Sequence, residues 1–416
     1  MHPRHIMPLI QDALADTPVL LLNGARQTGK STLARSLAAP DNDQQRRYLT
    51  LDDQVTLAAA KNNPDGFIAG LSNPVILDEV QRAPELFLAI KAAVDRERIP
   101  GKFFLTGSAN VLLLPKVADS LAGRMEILSL WPLSSGEIAN AADFNRADWL
   151  FNGDLGNLTV PPCDRADLIA ALLRGGFPEV QSRNERRRAS WFDSYLEAIM
   201  KRDVRDLANL EQLLQMPHLL QLLASRSASL LNFAELARSS GLPQTTLKRY
   251  LILLETLFMV YRLPAWARNP GKRLTKSPKV FLPDSGLLAH LMNLSPAALE
   301  QKSGLPGGLV ETFVLSELMK HLAFSSQRLT LWHYRTQSDI EVDFLLENRL
   351  GQLTGIEVKA SSQVDAAAFK GLRHLQETEG AQFQRGIVLY GGRDVVPFGE
   401  KLFAVPLSMW WASAHR

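Results

Sequence analysis

Four short apolar runs, at 19–22, 48–51, 74–77 and 103–105, punctuate the first 130 residues, and helical stretches such as 31–37 and 85–94 lie between them. Unbroken apolar runs of this length are the mark of strands buried on both faces. Their alternation with helices predicts a parallel sheet covered on both sides. The pattern breaks at 131–165, where Pro132, Ser134, Ser135, Gly136, Gly153, Gly156, Pro161 and Pro162 interrupt any periodicity, so a boundary is expected there. Residues 166–258 are helical in pattern, with Trp191, Phe192, Tyr195, Leu196 and Ile199 on one helical face. From about 305 the pattern is mixed, with strands expected at 329–334, 341–346, 353–360 and 386–390 and a helix at 366–375. The reading is an α/β chain in four segments: 1–150, 151–225, 226–304 and 305–416.

Composition narrows the setting. A chain of 416 residues with 46% hydrophobic residues can build several cores. Its one cysteine, Cys163, rules out an intrachain disulfide and fits a reducing compartment. Charged or polar residues at His2, Arg4, His5, Gln11, Asp12 and Asp16 break up a secretory leader pattern. No uncharged apolar run approaches the roughly 20 residues of a membrane helix. The expectation is a cytoplasmic protein with no membrane partner. A formal net charge of +3 leaves any nucleic-acid role to local charge.

The first chemistry-bearing motif is Gly24-Ala25-Arg26-Gln27-Thr28-Gly29-Lys30-Ser31, with Thr32 next. It follows an apolar strand and opens a helix, the context a phosphate-binding loop needs. Its glycines let backbone N–H groups curl around phosphates, and the helix N-terminus adds partial positive charge. Lys30 is expected to neutralise the β- and γ-phosphates of ATP, and Ser31 to ligate Mg2+. Asp78 and Glu79 end the apolar strand at 74–77. Adjacent carboxylates at a buried strand tip need a task there. Asp78 suits the metal, and Glu79 suits orienting or deprotonating the attacking water. A second acid favours hydrolysis over transfer to a small molecule. After 103–105, Thr106, Ser108 and Asn110 offer hydroxyl or amide groups near the γ-phosphate, Ser108 foremost. Gly123-Arg124 offers an arginine for transition-state charge, in this chain or a neighbouring copy.

Gly24–Ser31, Leu77-Asp78-Glu79-Val80-Gln81, Thr106-Gly107-Ser108 and Gly123-Arg124 together resemble prokaryotic ATP-binding proteins of the AAA-like superfamily. In those proteins the ATPase is fused to a C-terminal domain of unknown function that resembles PD-(D/E)XK nucleases. The resemblance implies an AAA-like core, a helical lid, a winged helix and a restriction-endonuclease-like end. It also implies ATP-dependent homo-oligomers, and it supplies no biological role.

In the middle, 233–238, a turn at Ser239-Ser240-Gly241-Leu242 and 243–257 read as helix, turn, helix. Gln244, Thr245, Thr246, Lys248 and Arg249 on the second helix are types that face bases and phosphates. Strands at 260–263 and 279–282 would pair as a wing. Between Glu255 and Asp284 there are six cations, Arg262, Arg268, Lys272, Arg273, Lys276 and Lys279, and no acid. They would form a phosphate-binding patch for DNA or RNA, DNA being favoured; the alternative is a winged helix that packs as a lid.

At the C-terminal end, Asp343 and then Glu357-x-Lys359 across a hairpin fit the PD-(D/E)XK pattern, with Glu311 on the preceding helix, which also carries Glu317. The strand period of two places Glu357 and Lys359 on one face. Asp343, Glu357 and Glu311 would hold a divalent metal, and Lys359 would orient or deprotonate a water. Val342, not proline, precedes Asp343, a departure from the motif. The expected function is Mg2+-dependent ATP hydrolysis acting on or with nucleic acid, with a nuclease-like module. Its rivals are a nucleotide-dependent switch that binds another protein, its nuclease-like domain silent, and a small-molecule kinase.

Overall fold

A computed structural model describes residues 2–38, 46–71, 74–108, 123–141, 144–155, 160–203, 215–302 and 304–412. The chain forms two compact units: Arg4–Pro132 with Leu254–Met259, and Leu133–Leu253 with Val260–Arg416 and Met1–Pro3. The main stretch of the second unit begins at Leu133. Among the described residues no helix is long and apolar enough to cross a membrane.

The first unit is built on a five-stranded parallel sheet in the order β2-β3-β4-β1-β5, with β1 Val19–Asn23, β2 Arg47–Thr50, β3 Val75–Asp78, β4 Phe103–Gly107 and β5 Met125–Ser129. The interior strands β1, β3 and β4 are buried at every position, which is why they are apolar without alternation. The edge strand β5 is only partly covered. Glu126 and Ser129 break its apolar run, so it was not expected from the sequence. Helices Lys30–Leu37 and Leu86–Arg96 supply the covering layers. Val19, Leu21, Leu77, Phe87, Ile90, Phe103 and Leu105 share one core. In register, Asn23 lies beside Gly107 and Ser129, and Leu77 beside Leu105. The strand ends that carry Asn23, Asp78 and Gly107 thus share one edge of the sheet, where parallel α/β sheets place their ligands.

The second unit opens with helices at Ser135–Ile138, Arg146–Asn152, Arg165–Arg174 and Glu185–Ala198. On the last of these, Phe192 and Tyr195 are buried, and Trp191 stacks on Tyr195 with ring centroids 5.1 Å apart, as the shared face predicts. Helices Phe233–Ser240 and Gln244–Thr256 flank a turn that depends on Gly241, whose φ of 71° favours glycine. Strands β6 Ser229–Leu230, β7 Tyr261–Leu263 and β8 Lys279–Phe281 form an antiparallel sheet in the order β6-β8-β7. β7 and β8 pair through Tyr261–Phe281, Arg262–Val280 and Leu263–Lys279. Their connection carries a short helix, Pro270–Thr275, in place of a plain hairpin.

The rest of the unit is a six-stranded mixed sheet in the order β13-β14-β12-β11-β10-β9. Its strands are β9 Thr330–Arg335, β10 Glu341–Glu347, β11 Leu353–Lys359, β12 Phe383–Tyr390, β13 Val396–Pro397 and β14 Leu402–Pro406. β9, β10 and β11 run antiparallel; β11, β12 and β14 run parallel. Helices Gly307–Leu322 and Lys370–Glu379 pack against it. The β9–β10 register shifts between Val342 and Leu345, so the sheet bulges beside Asp343; a bulge re-aims the side chains it carries. Arg146 is fully buried in this unit. Its guanidinium donates to the carbonyls of Met409 (3.2 Å), Phe144 (3.2 Å) and Ala412.

Candidate functional site

The phosphate loop is shaped by backbone that few residues tolerate. Gly24 has φ 149° and Gly29 φ 96°. A Cβ on Gly24 would lie 2.2 Å from the Leu130 carbonyl oxygen, so the chain can pass there only as glycine. Thr28 Oγ1 donates to the Ala25 carbonyl at 3.0 Å and closes the loop on itself. Arg4 braces it from outside, donating to the carbonyls of Thr28 and Trp131, each at 2.7 Å. Lys30 is buried, and its Nζ donates to the carbonyls of Gly24 (2.9 Å) and Ala25 (2.7 Å). Among the other loop residues Ala25 and Thr28 are buried, Arg26 and Ser31 are partly exposed, and Gln27 and Thr32 are exposed.

Asp78 draws three hydroxyls together. Ser31 Oγ donates to its Oδ1 at 3.0 Å, Tyr48 Oη to its Oδ2 at 2.6 Å, and Thr106 Oγ1 also to Oδ1. The Thr106 oxygen in turn accepts from the Glu79 N–H at 3.2 Å, which fixes the strand end where the two acids diverge. Burial and the Asp78 carboxylate push the Tyr48 phenol up to about 12, so it stays a donor at neutral pH. The Arg35 guanidinium lies 5.1 Å from the Tyr48 ring centroid.

Glu79 sits in left-handed backbone, φ 61°. Gln81 Nε2 donates to its Oε2 and to Ser108 Oγ at 2.8 Å, and Ser108 Oγ itself donates to Glu79 Oε2 at 3.1 Å. Ser108 N donates back to Gln81 Oε1 at 3.3 Å. The structure thus brings Lys30, Ser31, Asp78, Glu79 and Ser108 to one strand edge. Tyr48 and Gln81 are members that sequence reasoning missed. Gln81 stands inside the quoted Leu77–Gln81 motif, two residues past the candidate base, and that spacing was its available signal. Asn110 lies outside the described residues. Arg124 Nε is 2.5 Å from Asp95 Oδ1, in an ion pair within this unit.

The residues fit a nucleotide and its magnesium. The loop has the glycines a phosphate cradle requires, an ammonium at its mouth, and a hydroxyl and carboxylate already within hydrogen-bond distance of each other.

The second cluster lies in the other unit. Asp343, on β10, accepts at Oδ2 from the Val358 N–H at 2.9 Å. Glu357 and Lys359 pair with each other at 2.8 Å. The side chain that joins Asp343 to Glu311 is Lys279, whose Nζ lies 3.1 Å from Asp343 Oδ1, 3.4 Å from Glu311 Oε2 and 2.6 Å from Glu341 Oε1. Burial lowers the Lys279 pKa, but Asp343, Glu311 and Glu341 outweigh it and the net shift is upward, so it remains an ammonium. Burial and the Asp343 charge push Glu311 up to about 8 and Glu357 up to about 7. Among the described residues no group of three or more acids, histidines or cysteines is arranged to hold a metal. Of the acids expected to share a metal, Asp343 and Glu311 instead share the Lys279 ammonium, and Glu357 pairs with Lys359.

Four of the six basic-patch cations are engaged within the second unit, although Arg268 is itself largely exposed. Lys279 is 2% exposed. Arg273 forms an ion pair with Glu347 at 2.7 Å and lies over the Trp266 and Trp332 rings. Arg268 pairs with Glu379 at 3.0 Å, and Lys276 donates to the Arg335 carbonyl at 2.8 Å. The compensating acids come from beyond 284, so a local count of charge could not find them.

Three family profiles match: an AAA domain over 16–139, a domain of unknown function (DUF8612) over 165–298 and another (DUF4143) over 306–410. Two relatives, uncharacterized proteins Rv2008c of Mycobacterium tuberculosis and Mb2031c of Mycobacterium bovis, are each 32% identical over 403 residues, 95% of this chain and 82% of theirs. An uncharacterized protein of Haemophilus influenzae is 23% identical over 222 residues, 52% of this chain and 50% of its own. Among solved structures, the replication initiator DnaA bound to AMPPCP and single-stranded DNA overlaps with 15% identity and a TM-score of 0.31, over 61% of this chain and 88% of its own. The Pyrococcus horikoshii STAND protein with a tetratricopeptide repeat sensor overlaps with 12% identity and a TM-score of 0.25, over 76% and 49%. Overlaps this slight carry nothing over to the chemistry of this chain.

Proposed function

We propose a function on the premise that this chain belongs to the same family as the two mycobacterial proteins and carries an AAA domain followed by DUF8612 and DUF4143 segments. The function is magnesium-dependent hydrolysis of ATP at the first unit's strand edge. The observation that carries it is the Ser31–Asp78 hydrogen bond of 3.0 Å, which sets the two expected metal-holding groups side by side at the end of the phosphate loop. Ser31 and Asp78 would hold magnesium, whose chemistry is to neutralise charge on the β- and γ-phosphates. Lys30 adds a fixed positive charge at the same phosphates. Glu79 takes the proton of the attacking water or orients it, and Ser108 and Gln81 hold its carboxylate in place. Arg124 enters this reading as a partner of Asp95, not as a catalytic group.

Phosphate release from ATP, measured with magnesium and with no acceptor, tests the reading. Release above background supports it, and turnover that appears only with an added small-molecule acceptor overturns it in favour of a kinase. Repeating the assay with duplex DNA separates a nucleic-acid-stimulated ATPase from a protein-directed switch. With Arg268, Arg273, Lys276 and Lys279 engaged by acids or carbonyls, we favour the switch. The DUF4143 domain is assigned no cleavage.

Tyr48→Phe removes one donor to Asp78 and leaves the fold intact. It is expected to cost about 1 kcal/mol at the site, roughly fivefold in kcat/KM for magnesium-ATP. An unchanged kcat/KM would reduce Tyr48 to a packing residue.

A further inference from the structure

Lys279 opens β8 in the segment that matches DUF8612, whereas the acids around it belong to the DUF4143 segment. Its ammonium is approached by oxygens from two separate elements: Glu311 of the helix Gly307–Leu322, and Glu341 and Asp343 of β10. Three carboxyl groups converging on one nitrogen, whose side chain is 3% exposed, reproduce the environment of a bound cation with a lysine in the cation's place. Of the neighbouring oxygens, Glu357 Oε2 is buried without a hydrogen-bond partner, and three others are engaged. Glu341 Oε2 takes Arg335 at 3.2 Å, Asp343 Oδ2 takes the Val358 N–H, and Glu357 Oε1 takes Lys359. A divalent ion needs oxygen ligands at about 2.0–2.6 Å. At this cluster it would meet the ammonium already seated among those oxygens and be repelled by it.

We propose that Lys279 is a built-in cation that closes the Glu311–Glu341–Asp343 cluster to divalent metal, so that the wild-type chain holds no Mg2+ or Mn2+ there and removing the ammonium opens a site for one such ion. The strand that carries the plug comes from one family segment, and the site it fills comes from the next. The proposal stands apart from the ATPase reading, since Lys30, Ser31 and Asp78 lie in the other unit.

The test uses the full chain without nucleotide, titrated with Mn2+ while free Mn2+ is read by electron paramagnetic resonance. Wild type and Asp343→Asn are expected to bind the same amount of Mn2+. Lys279→Met, which keeps the length of the side chain and drops its charge, is expected to bind one more Mn2+ per chain, and adding Asp343→Asn is expected to remove that extra ion. The Tm of Lys279→Met should fall below that of wild type and rise with Mn2+, while the wild-type Tm stays put. Mn2+ binding in wild type that depends on Asp343 overturns the proposal. So does a folded Lys279→Met chain that takes up no additional ion. If Lys279→Met is unfolded without metal, its circular dichroism is followed as Mn2+ is added. Recovery with Mn2+ but not with NaCl of equal ionic strength supports a metal site under the plug, and no recovery overturns it.

Discussion

Lys30→Ala is expected to bring phosphate release down to background and to weaken nucleotide binding. The Lys30 ammonium is buried and anchored by the Gly24 and Ala25 carbonyls, so its position is set by the loop itself. Its removal takes away the fixed charge proposed to meet the γ-phosphate, where a single preorganised donor is worth roughly 10²–10³ in rate. It also leaves two loop carbonyls without that donor and loosens the cradle, so binding suffers with turnover. Lys30→Arg should not rescue: a planar fork cannot replace a point charge between two carbonyls. Glu79→Gln gives the contrasting result. It keeps the cradle, binds ATP as wild type does, and hydrolyses it roughly 10²–10⁴-fold more slowly because the base is gone. Nucleotide affinity by fluorescence titration, set beside phosphate release, distinguishes the two variants. Wild-type turnover by Lys30→Ala would remove the site from the first unit, and wild-type turnover by Glu79→Gln would remove its base.

Arg146→Ala should be the most damaging substitution away from the nucleotide site. The side chain is fully buried and donates to the carbonyls of Phe144, Met409 and Ala412. An orphaned buried acceptor costs about 1–3 kcal/mol, and the vacated volume adds to that. A loss of roughly 3–5 kcal/mol for the second unit follows, a fall in Tm on the order of 10 °C. Arg146→Met fills much of the space but donates nothing, so it should recover only the cavity part. Denaturant melts that place Arg146→Ala within about 1 kcal/mol of wild type would mean that water takes over those carbonyls.

The legible parts of this chain are those whose chemistry is written in adjacent residues. Gly24, Gly29, Lys30 and Ser31 stand within one loop, and Asp78-Glu79 end one strand, so spacing alone singled them out as candidates. The interior strands were readable because burial on both faces leaves an unbroken apolar run. β5 was not, because an edge strand tolerates Glu126 and Ser129. Tyr48 reaches Asp78 from a neighbouring strand, a relation that sheet order creates and local pattern does not carry. Lys279 was counted with the surface cations, although it leads directly into Val280-Phe281-Leu282. A lysine at the head of an apolar strand was the available hint that its charge is spent inside. The acids that receive it stand more than thirty residues further on in the chain, at Glu311, Glu341 and Asp343.

The Arg146–Ala412 hydrogen bond also bears on the order of events at the ribosome. Its partners are 266 positions apart, so the arginine is synthesised long before its acceptor exists. At about 5–20 residues per second that interval is on the order of 10–50 s. The first unit is discontinuous too: its strands are complete by Ser129, yet Leu254–Met259 belong to it. The second unit therefore cannot complete its Arg146 hydrogen bonds until the last residues emerge, and the first unit gains Leu254–Met259 only after the middle of the chain is made. Apolar surface left open in that interval is what would call on chaperones. Slowing or pausing translation within residues 133–253 should lower the soluble yield of this chain more than the same pause placed after 260.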